Sequence, residues 1–342
     1  MKKRLRRTSA RYLALLAGAS GLTRGLRRRR KSAGDFRVFI LEYHDISPDG
    51  HECEGTVSHT RFERHARHLK KLYEVQTVRQ AAESLQPGAV LNHDLLVLTF
   101  DDGYLGNYEA AWPVLQKLGL SATVYLTTGF LDGEELWFDF ARRALKEVGA
   151  IGSTQDKNLQ ECLEIAFGGG LVNTDVDSMV ERLKYSKPGD REKVLGCLRR
   201  HASRVAEPAR PMSWDQVREM SRSGIEMACH TVTHPILSTL ERVDQETEIL
   251  KSRQRVSEEI GESPTTFAYP NGSRRDYDAS TLEILRRSDF AAACTTRKGS
   301  NRVGCDPLTL RRLGVGSDSL PVLEARLAGL FDEEMRRFMR IS

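Results

Sequence analysis

The run Leu95 to Phe100 is apolar almost without interruption and then stops on Asp101-Asp102-Gly103. A short continuous apolar segment suits a strand buried on both faces, the usual state of a parallel sheet covered by helices. Two carboxylates at its end are costly to bury unpaired, because like charges in a low-dielectric surrounding raise one another's pKa. A divalent cation would neutralise one carboxylate and leave its neighbour free to accept a proton. Taken alone, the triplet suits an acidic turn better than a metal site.

The pattern of an apolar run ending on polar residues recurs along the chain. Val38 to Tyr43 ends at His44-Asp45, and Ile225 to Cys229 delivers His230-Thr231-Val232-Thr233-His234-Pro235. Further strands are predicted over Ala122 to Thr127, Thr266 to Tyr269, Ala291 to Thr296 and Leu308 to Val315. Helical spacing fills the intervals 61–73, 109–118, 246–260, 280–287 and 321–331. Within 61–73, His65 and His68 read as surface or packing residues near a polar face. Ser213 with Gln216 three residues on is a capping box, predicting a helix that runs to Ser223 and stops at Gly224. The stretch 132–211 reads as a mainly helical insertion, with helices over 138–148, 158–167, 176–183 and 192–205. At least seven strands mostly separated by helices predict an α/β fold, a deformed (β/α) barrel with that insertion between the two polar motifs. Two imidazoles four residues apart can chelate one ion, and with a carboxylate they form a familiar catalytic metal set. Both polar motifs fall at strand ends, where barrel chemistry collects.

The 342-residue chain has a formal net charge of +5, but this hides an uneven distribution. Twelve Lys and Arg precede the first acidic residue, Asp35, leaving 40 Lys and Arg against 47 Asp and Glu, a balance of −7, in the remainder. A mildly acidic body thus follows a basic leader, residues 1–34, and the body, 35–342, is not expected to bind nucleic acid. Tyr12 to Thr23 is too short to span a bilayer. Ala17-Gly18-Ala19 imitates a signal-peptide cleavage site, yet the cationic run Arg27 to Lys31 follows at once and favours retention on the cytoplasmic side. The expectation is a cytoplasmic protein, or one peripheral to the inner face of an anionic membrane through residues 1–31, rather than a secreted one. The six cysteines lack any C-x-x-C pair and read as buried free thiols.

Thr99-Phe100-Asp101-Asp102-Gly103 and His230-Thr231-Val232-Thr233-His234 resemble the first and second motifs of the polysaccharide deacetylases, carbohydrate esterase family 4, with its NodB homology domain. Phe267-Ala268-Tyr269-Pro270-Asn271-Gly272 is similar to a third motif in one branch. The resemblance covers about Val38 to Val315. It implies Asp102, His230 and His234 as metal ligands, Asp101 as general base, and metal-dependent removal of N-acetyl groups from amino sugars of a glycan. Zinc is the ion these ligands favour, although cobalt, nickel and manganese are compatible. Three departures stand out. Ala268 replaces the arginine many members use to orient the base, so Arg274 or Arg275 is the expected substitute. No Asp-Trp fourth motif lies near Thr295. The usual late histidine acid is missing, which turns attention to His44, with Asp45 to orient it. Tyr104, Tyr269, Pro270 and Asn271 are expected to contact substrate, while Trp137 could stack on a sugar or pack in the core. An O-acetyl esterase, a silent carbohydrate-binding protein and a membrane-associated assembly factor are the competing readings.

Overall fold

The computed structural model describes residues 21–50, 55–150, 175–201, 207–316 and 318–330. Ten strands run in order: β1 (Val38–Tyr43), β2 (Asp45–Ser47), β3 (Thr56–Ser58), β4 (Glu74–Gln76), β5 (Leu95–Phe100), β6 (Thr123–Leu126), β7 (Glu226–Cys229), β8 (Thr266–Ala268), β9 (Ala292–Lys298) and β10 (Leu310–Gly314). Seven of them close into a parallel barrel in the order β1-β10-β9-β8-β7-β6-β5, with β5 returning to β1 in register from Val38↔Leu95 to Tyr43↔Phe100. The barrel expected from the sequence is therefore present. β4 adds to the lower half of β5, while β2 and β3 form a small separate pair.

Side chains alternate across each strand, and the two sets meet different partners. Phe39, Leu41, Leu96, Leu98 and Phe100 pack outward with Phe62, Leu69, Val114 and Leu115 of the surrounding helices. Val38, Ile40, Leu95, Val97, Tyr125, Ala228 and Leu310 fill the interior, together with Val78, Ala81 and Leu85 from the helix Val78–Ser84 and its end. Continuing the inward parity toward the strand ends replaces apolar residues with Glu42, Thr99, Asp101, His230 and Arg312, all buried. One barrel thus has an apolar floor and a polar upper layer.

The predicted capping box is present, with Ser213 and Gln216 reciprocally bonded at the start of Trp214–Arg222. Helices Trp137–Ala150, Val176–Lys184 and Pro188–His201 lie between β6 and β7, and the first packs Phe140, Ala144 and Leu145 against Leu183, Leu195 and Leu198 of the others. The helix predicted over 158–167 falls outside the described residues. The helix Asn107–Leu118 begins as a π turn over Asn107–Ala111, which spacing alone did not reveal. Gly106, just before it, sits so close to the neighbouring loop that a Cβ would lie 2.2 Å from the Ile46 carbonyl oxygen. Only glycine allows that approach. Cys229 and Cys294 are buried free thiols and Cys305 is a half-buried one, as expected. Cys197 is disulfide-bonded instead, since partners are set by proximity in space, which scattered spacing does not disclose. Cys53 and Cys162 lie outside the described residues.

Candidate active site

Five non-glycine residues among those described have positive φ, and four of them lie here: Asp102 (71°), Thr231 (67°), His234 (55°) and Asn271 (60°). Left-handed backbone costs such residues roughly 1–3 kcal/mol each and clusters where function over-determines the geometry. The turn at Asp102 directs its carboxylate away from the course of β5. The turns at Thr231 and His234 fold the loop after β7 so that its two imidazoles face one point.

His230 Nε2 lies 3.6 Å and His234 Nε2 3.5 Å from Asp102 Oδ1. The three residues are buried, and one ligand atom from each lies within 4.8 Å of the others. A tetrahedral ion with ligands at about 2.0–2.2 Å separates its ligand atoms by about 3.3–3.6 Å, so the donor set fits a divalent metal such as zinc. His230 Nδ1 lies 2.8 Å from the Ala268 carbonyl; donation there leaves Nε2 with its lone pair free, the tautomer a ligand needs. The Thr127 hydroxyl donates to Asp102 Oδ1 at 3.4 Å, and Trp137 Nε1 donates to the His234 carbonyl at 3.0 Å. Trp137 is thus a buried brace for the histidine loop rather than a sugar platform. Burial, with Asp101 alongside, pushes Asp102 upward. Burial and the neighbouring His230 push His234 well down, toward the neutral form that coordinates.

Asp101 is held differently. Burial would raise its pKa, but Arg312, His230 and His44 outweigh burial and keep it well below the usual carboxylate range. Arg312, on β10, is fully buried and donates from Nη1 and Nη2 to the two Asp101 oxygens at 2.7 and 2.8 Å. It also donates to Thr99 Oγ1 at 3.2 Å and to the Thr295 carbonyl at 3.1 Å, and its Nε lies 3.5 Å from Glu42 Oε2. The orienting cation expected at Arg274 or Arg275 is therefore Arg312. Arg275 points elsewhere, pairing with Glu181 at 3.0 Å and covering the Tyr185 ring, and Arg274 is exposed. The signal was present in the predicted strand itself: Arg312 shares the inward parity of Leu310, where an unpaired charge is untenable.

His44 is brought to the same place. Its imidazole forms a close group with Glu42 and Asp101, all within 4.8 Å, and Nε2 is 3.9 Å from Glu42 Oε1. Burial alone would depress its pKa, yet Asp101, Glu42 and Asp102 outweigh burial and raise it. Glu42, rather than Asp45, is the carboxylate beside it. Asp45 accepts from the backbone N–H groups of Ile46 and Gly106, and burial pushes it up to about 6.

The remaining expectations divide. Tyr104 is half-buried, edge-on to Phe130 at 5.5 Å, on the loop that follows Asp102. Tyr269 belongs to the core: it is fully buried, donates to the Leu308 carbonyl at 2.7 Å and stacks on Tyr277, so it is not placed to meet a substrate. Pro270 is buried beside it, and Asn271 is half-buried in its left-handed turn, where its carbonyl accepts from Thr296.

Such a barrel, with its polar layer and three convergent candidate ligands, suits a hydrolase, and the sequence family is one of hydrolases. A family model described as polysaccharide deacetylase matches residues 89–293, and the chain belongs to that family. YxkH of Bacillus subtilis (strain 168), which carries a polysaccharide deacetylase name, is 23% identical over 298 residues, covering 87% of this chain and 76% of that protein. Among solved structures, IcaB from Ammonifex degensii superposes with a TM-score of 0.58 at 21% identity, covering 86% of this chain and 97% of its own. The Streptococcus pyogenes deacetylase PplD, in complex with acetate, gives 0.56 at 20% identity, covering 83% and 95%. A de-N-acetylase from Aggregatibacter actinomycetemcomitans gives 0.55 at 18%, covering 85% and 99%. These likenesses establish the shared barrel.

Proposed function

We propose that the protein removes N-acetyl groups from amino-sugar residues of a glycan in a metal-dependent hydrolysis. The observation that carries this reading is the pairing of a three-ligand cluster with a separately held, ionised Asp101. Asp102, His230 and His234 would hold the ion, zinc by ligand chemistry. An ion bound there supplies Lewis acidity toward the acetamide carbonyl and the attacking water. Asp101 Oδ accepts the proton of that water, and Arg312 keeps the carboxylate charged and fixed in orientation. His44, whose pKa the surrounding carboxylates raise, returns a proton to the departing sugar amine. The backbone N–H of Tyr104 serves the oxyanion. The de-N-acetylase among the structural relatives supports an amide rather than an ester substrate. No helix of the described residues is long and apolar enough to cross a membrane.

The test is acetate release from N-acetylglucosamine oligomers, before and after chelation and with zinc restored. Activity should vanish with the chelator and return with the ion. Asp101→Asn should lower kcat by about 10²–10⁴-fold while the zinc stoichiometry is unchanged. His44→Ala should slow N-acetyl cleavage far more than cleavage of an O-acetyl ester, whose alkoxide leaving group is less basic than an amide anion and can depart before it is protonated by water. An Asp101→Asn variant with the wild-type rate removes the assigned base, and equal loss on both substrates removes His44 as the acid.

A further inference from the structure

Between the inserted helices and the far side of the histidine loop lies a cavity of about 410 Å³, whose walls include Thr127, Trp137, Arg191, Val232 and Thr233. Cavities of this size suit small ligands. Arg191 is 6% exposed, its guanidinium sits 4.6 Å from the Trp137 ring centroid, and its Nε and Nη1 are buried without a hydrogen-bond partner among the described residues. The negative groups nearest it in effect are Glu192 and Glu248. Glu248 is already committed, accepting from the N–H groups of Val232 and Thr233 and from the Thr233 hydroxyl. Glu192 forms an exposed part of the cavity wall. A buried guanidinium with no carboxylate bonded to it is among the costliest arrangements a fold can keep, and stacking on an indole offsets only part of that cost. Its natural complement is a planar or tetrahedral oxyanion taken in two-pronged fashion.

We propose that this cavity is a second saccharide subsite that receives the anionic substituent, carboxylate or phosphate, of a sugar on the same glycan as the residue being deacetylated. The inference rests on the deacetylase reading for its choice of a glycan. Its walls are also the supports of the metal cluster: Thr127 donates to Asp102, Trp137 donates to the His234 carbonyl, and Val232 and Thr233 lie between the two histidines. An occupant is thus one layer of side chains from the reacting centre. Glu134 and Glu192 on the same wall can accept from sugar hydroxyls.

Two measurements separate this proposal from the reading beneath it. Calorimetric titration of the full chain with glucuronate and with glucose 6-phosphate reads binding without turnover and tells carboxylate from phosphate. Steady-state acetate release on neutral N-acetylglucosamine oligomers and on uronate-bearing or phosphate-bearing N-acetylated oligosaccharides reads specificity. Arg191→Gln should raise KM for the anionic substrate by about tenfold or more with kcat kept, as loss of a charged hydrogen bond implies. It should leave the neutral oligomer unchanged, and Arg191→Lys should restore binding in part. Anionic sugar that binds through Arg191 to a protein releasing no acetate keeps the subsite and removes the deacetylase reading. Neutral oligomers cleaved normally while no anionic sugar binds, or an Arg191→Gln effect equal on both substrates, overturns the subsite.

Discussion

A guanidinium survives with no exposure to water at position 312 because every direction it can donate in is answered: two Asp101 oxygens, Thr99, the Thr295 carbonyl and, at longer range, Glu42. Removing it strands two buried carboxylates together. Arg312→Met should therefore cost about 3–5 kcal/mol of stability, measured by urea denaturation. Arg312→Lys keeps the charge but loses the fork; it should recover much of the stability while kcat stays at least about tenfold below wild type, since Asp101, the proposed base, is no longer held by two parallel bonds. A lysine variant with the native rate would show that charge alone suffices. The candidate ligands and Asp101 are legible in the sequence because each motif is local, Asp101 beside Asp102 and His230 four residues from His234, and each sits at the end of a recognisable strand. Arg312 and Glu42 are legible only as inward-facing charges on predicted strands; which neighbour answers each across the barrel is not, because spacing along one strand carries no information about its partner.

Legibility at the scale of the element follows the same division. Most of the barrel strands can be read as apolar runs because both faces are covered; β10 is the exception, with Arg311 exposed and Arg312 turned inward. The short β2, β3 and β4 carry too few residues to show a period, and the helix Val78–Ser84 escapes notice because its buried face is mostly alanine. The helix His59–Lys70 illustrates a subtler limit. His65 has the spacing of a packing residue and the chemistry of a surface one; it is fully buried, with the Tyr43 hydroxyl 3.3 Å from Nδ1. Burial, and then the charge of Arg61, lowers its pKa to about 4. Because the folded value lies below the unfolded one, near 6.5, the unfolded chain takes up the proton first. This contribution to stability is complete above about pH 6.5 and declines by up to about 3 kcal/mol as the pH falls toward 4. Asp45, pushed up to about 6, titrates in the opposite sense over a similar range. The contrast between wild type and His65→Phe in urea unfolding at pH 7 and pH 5 isolates the histidine: the wild type should lose more. Equal losses would mean that His65 is protonated without penalty.

At the scale of the whole molecule, the helix Leu22–Ser32 docks against the flank of the body, where Leu26 packs with Val322, Ala325 and Leu330. Arg30 donates to both oxygens of buried Asp94, just ahead of β5, at 2.7 and 2.6 Å, and lies over Phe39; Arg24, Arg28 and Arg29 face outward. Arg30→Ala would leave Asp94 with Lys31 at 3.9 Å and the Arg37 N–H as its remaining partners. A loss of about 2–3 kcal/mol is expected, detectable as a lowered Tm, and Asp94→Asn in the same background should return part of it. If the Tm is unmoved, the helix contributes nothing to the body. At the lower mouth Val78, Ala81 and Leu85 close the barrel, and the apolar floor leaves no bore. Under the proposed function traffic is therefore one-sided: a long polymer would be draped across the rim and shifted sideways between turnovers, never threaded, and freed acetate would depart through the doorway by which the chain came to rest.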